Sequence, residues 1–226
     1  MHPTAALARL CPAELMAHPK NAHPRNAAER MRPALPVDLN LPAALAEPQQ
    51  WAARLRRRAD GTPWIGVCFV CLGNICRSPT AEGIFIEQMK HYPRREQIIV
   101  DSAGTSGAHQ GAPADTRSQA TAHRRGITLR TLSRPILGPD FERFDLLVAM
   151  DRSNLGYLER LKPEGSRAHA CLLRDFDPEA NGERDVPDPY YDGDAGFERV
   201  FDMCWRSSEM LGSWLNAVLS ADETSS

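Results

Sequence analysis

Ile65-Gly66-Val67-Cys68-Phe69-Val70-Cys71-Leu72-Gly73-Asn74-Ile75-Cys76-Arg77-Ser78-Pro79 joins an apolar run to a polar turn and a helix start. Residues 65–70 form an almost continuous apolar run, with the length and composition of a strand buried on both faces. Ser78-Pro79 reads as a helix start, a Ser N-cap with Pro at the first helical position. A cysteine therefore stands where a central strand ends, and a short loop leads from it into a helix N-terminus. Successive backbone N–H groups in such a loop make an anion nest, and the helix end adds partial positive charge. Arg77, six positions after Cys71, is near enough to curl over the same hollow and grip two phosphate oxygens with its planar fork. Gly73 supplies the backbone freedom that the tight turn needs. A thiol among these donors favours the thiolate, which is the nucleophilic form. Residues 71–77 thus read as a phosphate cradle, lined by Leu72, Gly73, Asn74, Ile75 and Cys76, with a nucleophile at its floor.

Outward from this stretch the chain alternates strand and helix. Strand 1 covers about 64–70 and helix 1 about 78–90. Ile-Ile-Val centres a second strand over 97–101, and a helix over 115–125 stops at Gly126. Residues 145–150 read as a third strand, followed by a helix over about 152–161, and 168–173 as a fourth strand. The last helix, about 195–219, puts Phe197, Val200, Phe201, Cys204, Leu211, Leu215 and Val218 on one face. Alternation of this kind predicts an α/β fold, a four-stranded parallel sheet with helices on both faces and the phosphate-binding loop after strand 1. Ligands of such sheets bind beyond the carboxyl ends of the strands, where Cys71 sits.

Val70-Cys71-Leu72-Gly73-Asn74-Ile75-Cys76-Arg77-Ser78-Pro79, set between strand and helix, resembles the phosphatase loop of the low-molecular-weight protein tyrosine phosphatases. That resemblance implies hydrolysis of phosphotyrosine and aryl phosphate monoesters through a cysteinyl-phosphate, in phosphotyrosine-containing protein substrates, without a cofactor. A second stretch, Asp185-Val186-Pro187-Asp188-Pro189-Tyr190-Tyr191-Asp192-Gly193, is similar to the family segment whose Asp is the general acid. Expelling phenolate from phosphorus is easier when its oxygen is protonated in flight, and Asp188 supplies that proton under this reading. Tyr190 and Tyr191 are candidates for the flat wall against a phenyl ring. Ser78 is expected to donate to the Cys71 sulfur as well as cap the helix. Asn74 resembles the residue that shapes the loop, and Ser102 the one that supports it. Two departures stand out. Arg125 occupies the helix end where animal members carry a supporting His, so the network is expected to be incomplete there. Ala108 stands where a Trp or Tyr often flanks the crevice, with His109 a partial replacement.

Neighbouring readings fit less well. Arsenate reductases share the loop but need further redox cysteines, and Leu146–Asn154 holds none. Protein arginine phosphatases have Thr where this chain has Ile75. A non-catalytic phosphoprotein-binding module has no need of Cys71, Arg77 and Asp188 together. Cys68-x2-Cys71 has zinc-ligand spacing, but residues three apart on a strand and its exit leave on different faces, so no metal site is expected.

Composition sets the outer bounds. The 226 residues are 42% hydrophobic and 25% charged, ordinary for a globular chain, and a net charge of −2 speaks against nucleic-acid binding through bulk charge. No apolar run approaches a membrane span, and no signal-peptide core precedes the domain, so a cytoplasmic setting is expected. Six cysteines without a regular framework agree with a reducing compartment. Nothing in the composition specifies an oligomeric state. Residues 1–62 hold eight of the 18 prolines and no aromatic residue before Trp51. They read as a Pro/Ala-rich extension, largely disordered or loosely helical, with a short helix over 48–58 presenting Trp51 and Leu55 on one face. The Arg run within it reads as solvated surface. The catalytic domain is expected over 63–221 and a tail over 222–226.

Overall fold

The computed structural model describes residues 41–223. Its centre is strand β2 (Pro63–Cys71), the apolar run around which the sequence turns, buried from Ile65 onward. Parallel neighbours flank it: β3 (Ile98–Gly104) on one side and β4 (Leu146–Ala149) on the other, with β5 (His169–Leu172) beyond β4. The chain order of the parallel strands is therefore reversed at β2, and the crevice at a reversal point opens above its carboxyl end. Register puts Cys71 beside Gly104, so strand end and glycine meet at the mouth.

Side chains alternate across β2 and divide the interior into two layers. Val67, Phe69 and Cys71 pack under helices α2 (Arg77–Met89) and α6 (Asp194–Glu223). Cys68 and Val70 face the opposite layer, with Phe141 of α4 (Asp140–Arg143) and Leu158 of α5 (Arg152–Leu161). Cys68 and Cys71 thus lie on opposite faces of the sheet. Helix α3 (Thr116–Arg124) follows the loop after β3, its N-terminus capped by Asp115, whose carboxylate accepts from the Arg117 N–H. The apolar stripe expected on the last helix is buried throughout, and the helix continues to Glu223. Where α6 crosses α2, a Cβ on Gly212 would lie 2.4 Å from the Met89 methyl, which would have to move to admit it.

The amino-terminal side corrects the sequence reading. The expected helix over 48–58 ends after one turn, as α1 (Pro48–Ala52), and the chain then forms an edge strand, β1 (Arg56–Arg57), antiparallel to Pro63 and Trp64. The sheet therefore has a fifth, antiparallel strand. Asp60-Gly61 is the hairpin turn between β1 and β2, with Gly61 at φ 83° and the Asp60 carboxylate accepting from Thr62 N–H. Residues 41–62, assigned by sequence to the extension, pack on α6: Leu45 and Trp51 are buried, and the Trp51 ring meets Trp214 edge-on at 5.2 Å. Of the Arg run, Arg56 pairs with Asp145 and Arg57 with Asp222, so half of its charge is matched by carboxylates. Asp222 belongs to α6, which shortens the expected tail. Residues 1–40 lie outside the described residues, and with them most of the expected extension. Among the described residues no helix is long and apolar enough to cross a membrane.

Candidate active site

The loop leaving β2 wraps around the Cys71 sulfur. Asn74 takes the left-handed conformation, φ 51°, which Asn tolerates better than most residues, and this turns its N–H back onto Sγ at 3.2 Å. Asn74 is thus the residue that makes the turn. Gly73, expected to do so, is not at positive φ; its lack of a side chain matters because a Cβ there would press on the His109 ring at 3.0 Å. Gly104 has the same steric role more strictly, since a Cβ would lie 2.8 Å from the Leu72 carbonyl oxygen.

Helix α2 begins at Arg77, with Cys76 in the cap position and no side chain capping it. Ser78 therefore lies inside the first turn, and its expected capping role is absent. Its hydroxyl reaches Cys71 Sγ at 3.1 Å and the Ala103 carbonyl at 3.3 Å, two acceptors for one proton. Asn74 Nδ2 donates to Ser78 Oγ at 2.9 Å and to Ser102 Oγ at 2.8 Å, while its Oδ1 accepts from Arg134 N–H at 3.0 Å. Ser102 in turn donates to Glu82 Oε2 at 2.6 Å, and Thr131 donates to the same oxygen. The chain Glu82–Ser102–Asn74–Ser78–Cys71 is continuous and buried. Burial holds the Glu82 carboxyl above the ordinary carboxylate range, against the pull of its two hydroxyl donors.

Arg77 is 3% exposed and lies across the hollow. One outer nitrogen donates to Asp151 at 2.6 Å and to the Val186 carbonyl, and the other donates to Asp188 at 2.7 Å. Its Nε is buried without a partner among the described residues, a donor left for a ligand oxygen. Burial opposes its charge, but the Cys71 sulfur, Asp188 and Asp151 outweigh that and raise its pKa. Asp188 is partly exposed, and its second oxygen accepts from Tyr190 N–H at 3.2 Å. A crevice of about 290 Å³ opens over these groups. Leu72, Ile75, His109, Tyr190 and Tyr191 wall it, so its sides are flat and largely apolar while its floor is polar.

A polar floor that carries a thiol, an arginine with an idle donor and an acid, under apolar walls, suits an aryl ester of a tetrahedral anion. The comparisons agree. The family model for low molecular weight phosphotyrosine protein phosphatase matches residues 66–221. The chain belongs to that family. A Streptomyces coelicolor low molecular weight protein-tyrosine-phosphatase is 45% identical over 147 residues, 64% of this chain and 90% of the relative. A solved Entamoeba histolytica protein tyrosine phosphatase is 39% identical, with a TM-score of 0.62 over 65% of this chain and 94% of its own. A solved drosophila arginine phosphatase is 31% identical, with a TM-score of 0.59 over 64% of this chain and 94% of its own.

Within this phosphatase the structure gathers every residue singled out from sequence around one hollow: Cys71 to Ser78, Ser102 behind them, Asp188, Tyr190 and Tyr191 opposite. Ala108 is exposed and outside the crevice wall, where His109 stands instead. Arg125 leaves no gap in the supporting network. It lies on the surface, paired with Glu198 and Asp202, and the network is closed by Glu82 and Thr131. Glu82 and Thr131 carry no motif in the sequence, and three further contributors share that property. Asp151 caps α5 through Asn154 N–H and pairs with Arg77; an Asp directly after a buried strand was the available signal. Ser133 holds the Gly73 carbonyl at 2.9 Å, and Arg117 donates to the Tyr190 carbonyl at 2.9 Å with its guanidinium over the Tyr190 ring. Neither carries a local signal, because both act across turns distant in sequence.

Proposed function

We propose that this enzyme hydrolyses phosphotyrosine in proteins, and aryl phosphate monoesters generally, through a cysteinyl-phosphate intermediate on Cys71. The observation that carries the proposal is the position of Cys71 Sγ at the floor, held by the Asn74 N–H and the Ser78 hydroxyl, with Arg77 and Asp188 joined above it. Sγ attacks phosphorus; the cradle N–H groups and the Arg77 guanidinium take the equatorial oxygens, where charge spreads in the transition state. The incoming phosphate displaces Asp188 from Arg77; the freed carboxylate takes up a proton, from solvent or from the monoanionic form of the ester, and hands it to the departing phenolate oxygen. In the second half Asp188 takes a proton from water as that water attacks phosphorus, and the thiolate leaves with the Ser78 proton turned toward it.

Ile75, Tyr190 and Tyr191 favour an aromatic leaving group, because stacking requires flat apolar surface. Phosphoarginine, the substrate class named for the drosophila neighbour, would place a cation against those walls. All five described cysteines are free, and the chemistry needs a reduced thiol, so the reading places the enzyme in a reducing compartment such as the cytoplasm.

The test is turnover of phosphotyrosyl peptide, phosphoarginyl peptide and 4-nitrophenyl phosphate by the wild type and Cys71→Ser. Expected are preference for the phosphotyrosyl peptide over the phosphoarginyl one, loss of turnover in Cys71→Ser, and retained competitive binding of phosphate by the variant. Turnover of Cys71→Ser near wild type would end the phosphoenzyme proposal.

A further inference from the structure

The acid-bearing loop, residues 177–193, contains no helix or strand, yet it must hold a carboxyl within hydrogen-bond reach of a reacting oxygen. At its root lies a buried ionic cluster that the reaction itself does not use. The Asp177 side chain has no exposed surface. It accepts from Arg174 Nε at 3.0 Å and from Arg206 of α6 at 3.1 and 3.2 Å. Arg206 also pairs with Glu179 at 3.3 Å. Burying such charges is a poor way to gain stability, since desolvation offsets much of the attraction. Their arrangement suggests another purpose. Arg174 is 5% exposed, and its other two nitrogens donate to the Glu179 carbonyl at 3.3 Å and the Asp185 carbonyl at 3.4 Å. One planar fork thus ties the start of the loop to a point three residues before Asp188. The next residue, Val186, is held between Met150 and Arg77, through its N–H and its carbonyl respectively.

We infer that Arg174, fixed by Asp177 and Arg206, is a positioning residue for the general acid. It folds residues 177–185 back so that the Val186–Asp188 segment arrives over Arg77 at one height. The inference rests on the reading of Asp188 as proton donor. A guanidinium is needed because the three partners are met by three separate nitrogens of one rigid fork, a spread that the single nitrogen of a lysine cannot reach. Without the tie, Val186 remains attached but the approach to Asp188 is slack. An acid misplaced by about 1 Å can cost up to roughly 10²-fold, and the loss falls on substrates that need its proton. Phosphate binding, by contrast, belongs to the cradle and Arg77, which the tie does not touch.

The experiment measures kcat/KM for a series of aryl phosphates with leaving groups from nitrophenol to tyrosine, in wild type, Arg174→Lys, Arg174→Met and Asp188→Ala, with melting temperature and inhibition by inorganic phosphate recorded for each. Arg174→Lys keeps a cation at Asp177 and serves as the folded variant if Arg174→Met does not fold. Expected for Arg174→Lys is a loss of about tenfold on phosphotyrosine, part of the roughly 10²–10⁴ that a general acid contributes. The nitrophenyl ester should change by about twofold at most and phosphate inhibition not at all, because neither depends on the proton. In an Asp188→Ala background the Arg174→Lys change should add no further dependence on the leaving group. Wild-type leaving-group dependence in folded Arg174→Lys, or a parallel loss of phosphate affinity, overturns the inference while leaving Asp188 in its role. Wild-type dependence in Asp188→Ala itself would instead remove the general-acid reading on which the inference stands.

Discussion

At the carboxyl end of β2 the groups that touch the Cys71 sulfur come from three and seven residues away. At the other end of the molecule the cover over α6 is drawn from residues 41–57, and its hydrogen bond from Trp214 Nε1 to the Leu45 carbonyl spans 169 residues. One region is a knot of short-range polar contacts around an atom that must react. The other is apolar area closed by long-range packing, with Leu45, Trp51 and Trp214 all buried. Chemistry and stability are housed separately in this molecule. Changes in the first region should alter rate with little effect on folding, and changes in the second should do the reverse.

The largest effect should come from Arg77→Ala. It removes the fork that meets the phosphate oxygens in ground and transition states, and each such donor is worth about 10²–10³, so kcat/KM should fall by about 10³-fold or more. The Asp151 and Asp188 side chains that lose a partner are 21% and 41% exposed, so water can replace it and the variant should stay folded. Steady-state kinetics beside a thermal melt checks both halves. Unfolding of Arg77→Ala would mean that the cradle also carries stability, which breaks the separation.

At the opposite end, Trp51→Ala removes a buried ring that packs edge-on against Trp214 and donates to the Ala44 carbonyl at 2.6 Å. Loss of such a side chain costs about 3–5 kcal/mol. Urea unfolding should register this, while kcat on 4-nitrophenyl phosphate, measured well below the melting point, should match wild type. A fall in kcat without unfolding would show that the cover reaches the site.

The same contrast explains what sequence could and could not disclose. The cradle was legible because its chemistry runs along a single stretch, where strand, turn and helix start each leave a local pattern. Asn74 and Ser78 are legible for the same reason, although Asn74, and not Gly73, takes the left-handed conformation at the turn. The wrapping of 41–57 was not legible. Ala43, Ala44, Leu45 and Trp51 show no sustained period, and their partner, Trp214 of α6, lies far along the chain. Asp151, Arg117 and Ser133 belong to that second kind, short-range caps or surface residues by pattern and parts of the site only through the fold. The Arg174 cluster is intermediate, with Arg174 and Asp177 three residues apart but Arg206 on a distant helix.

A smaller effect tests whether the buried network behind the cradle is charged. Burial raises the Glu82 pKa, so at a pH between the unfolded and folded values the unfolded chain has already released a proton that the folded one keeps. Stability attributable to Glu82 therefore declines as pH rises through and above the ordinary carboxylate range. Glu82→Gln lacks that titration but keeps an oxygen for Ser102 and Thr131. Relative to wild type, the variant should gain stability as pH is raised from about 4 to 7, the window that starts near the ordinary Glu value. A difference constant across those pH values would mean that Glu82 titrates alike in both states.

The smallest effect on basal activity belongs to Cys76, which lies inside the cradle and bears on whether a polar site can protect itself. Cys76 is 4% exposed, and burial together with the nearby Asp115 charge pushes its thiol up to about 12, so near neutral pH it is a protonated, poorly reactive neighbour. Peroxide should therefore attack Cys71 first, giving a sulfenic acid and water. Condensation of that sulfenic acid with the Cys76 thiol releases a second water and leaves a disulfide, which dithiothreitol reverses; a second peroxide instead gives the irreversible sulfinic acid. Because the resolving thiol must lose its proton to attack, ring closure should quicken as pH rises toward 9, and low peroxide should favour the recoverable product. Cys76→Ser should lower basal turnover far less than Arg77→Ala does, since the smaller hydroxyl stays uncharged and leaves the backbone cradle in place, and should lose activity to peroxide at a similar initial rate. Its recovery with thiol should be much poorer, and bound phosphate should slow the initial loss in both proteins. Peptide mapping decides the matter: Cys71 found as sulfinic acid with Cys76 free, at low peroxide and alkaline pH, would show that the two sulfurs do not meet.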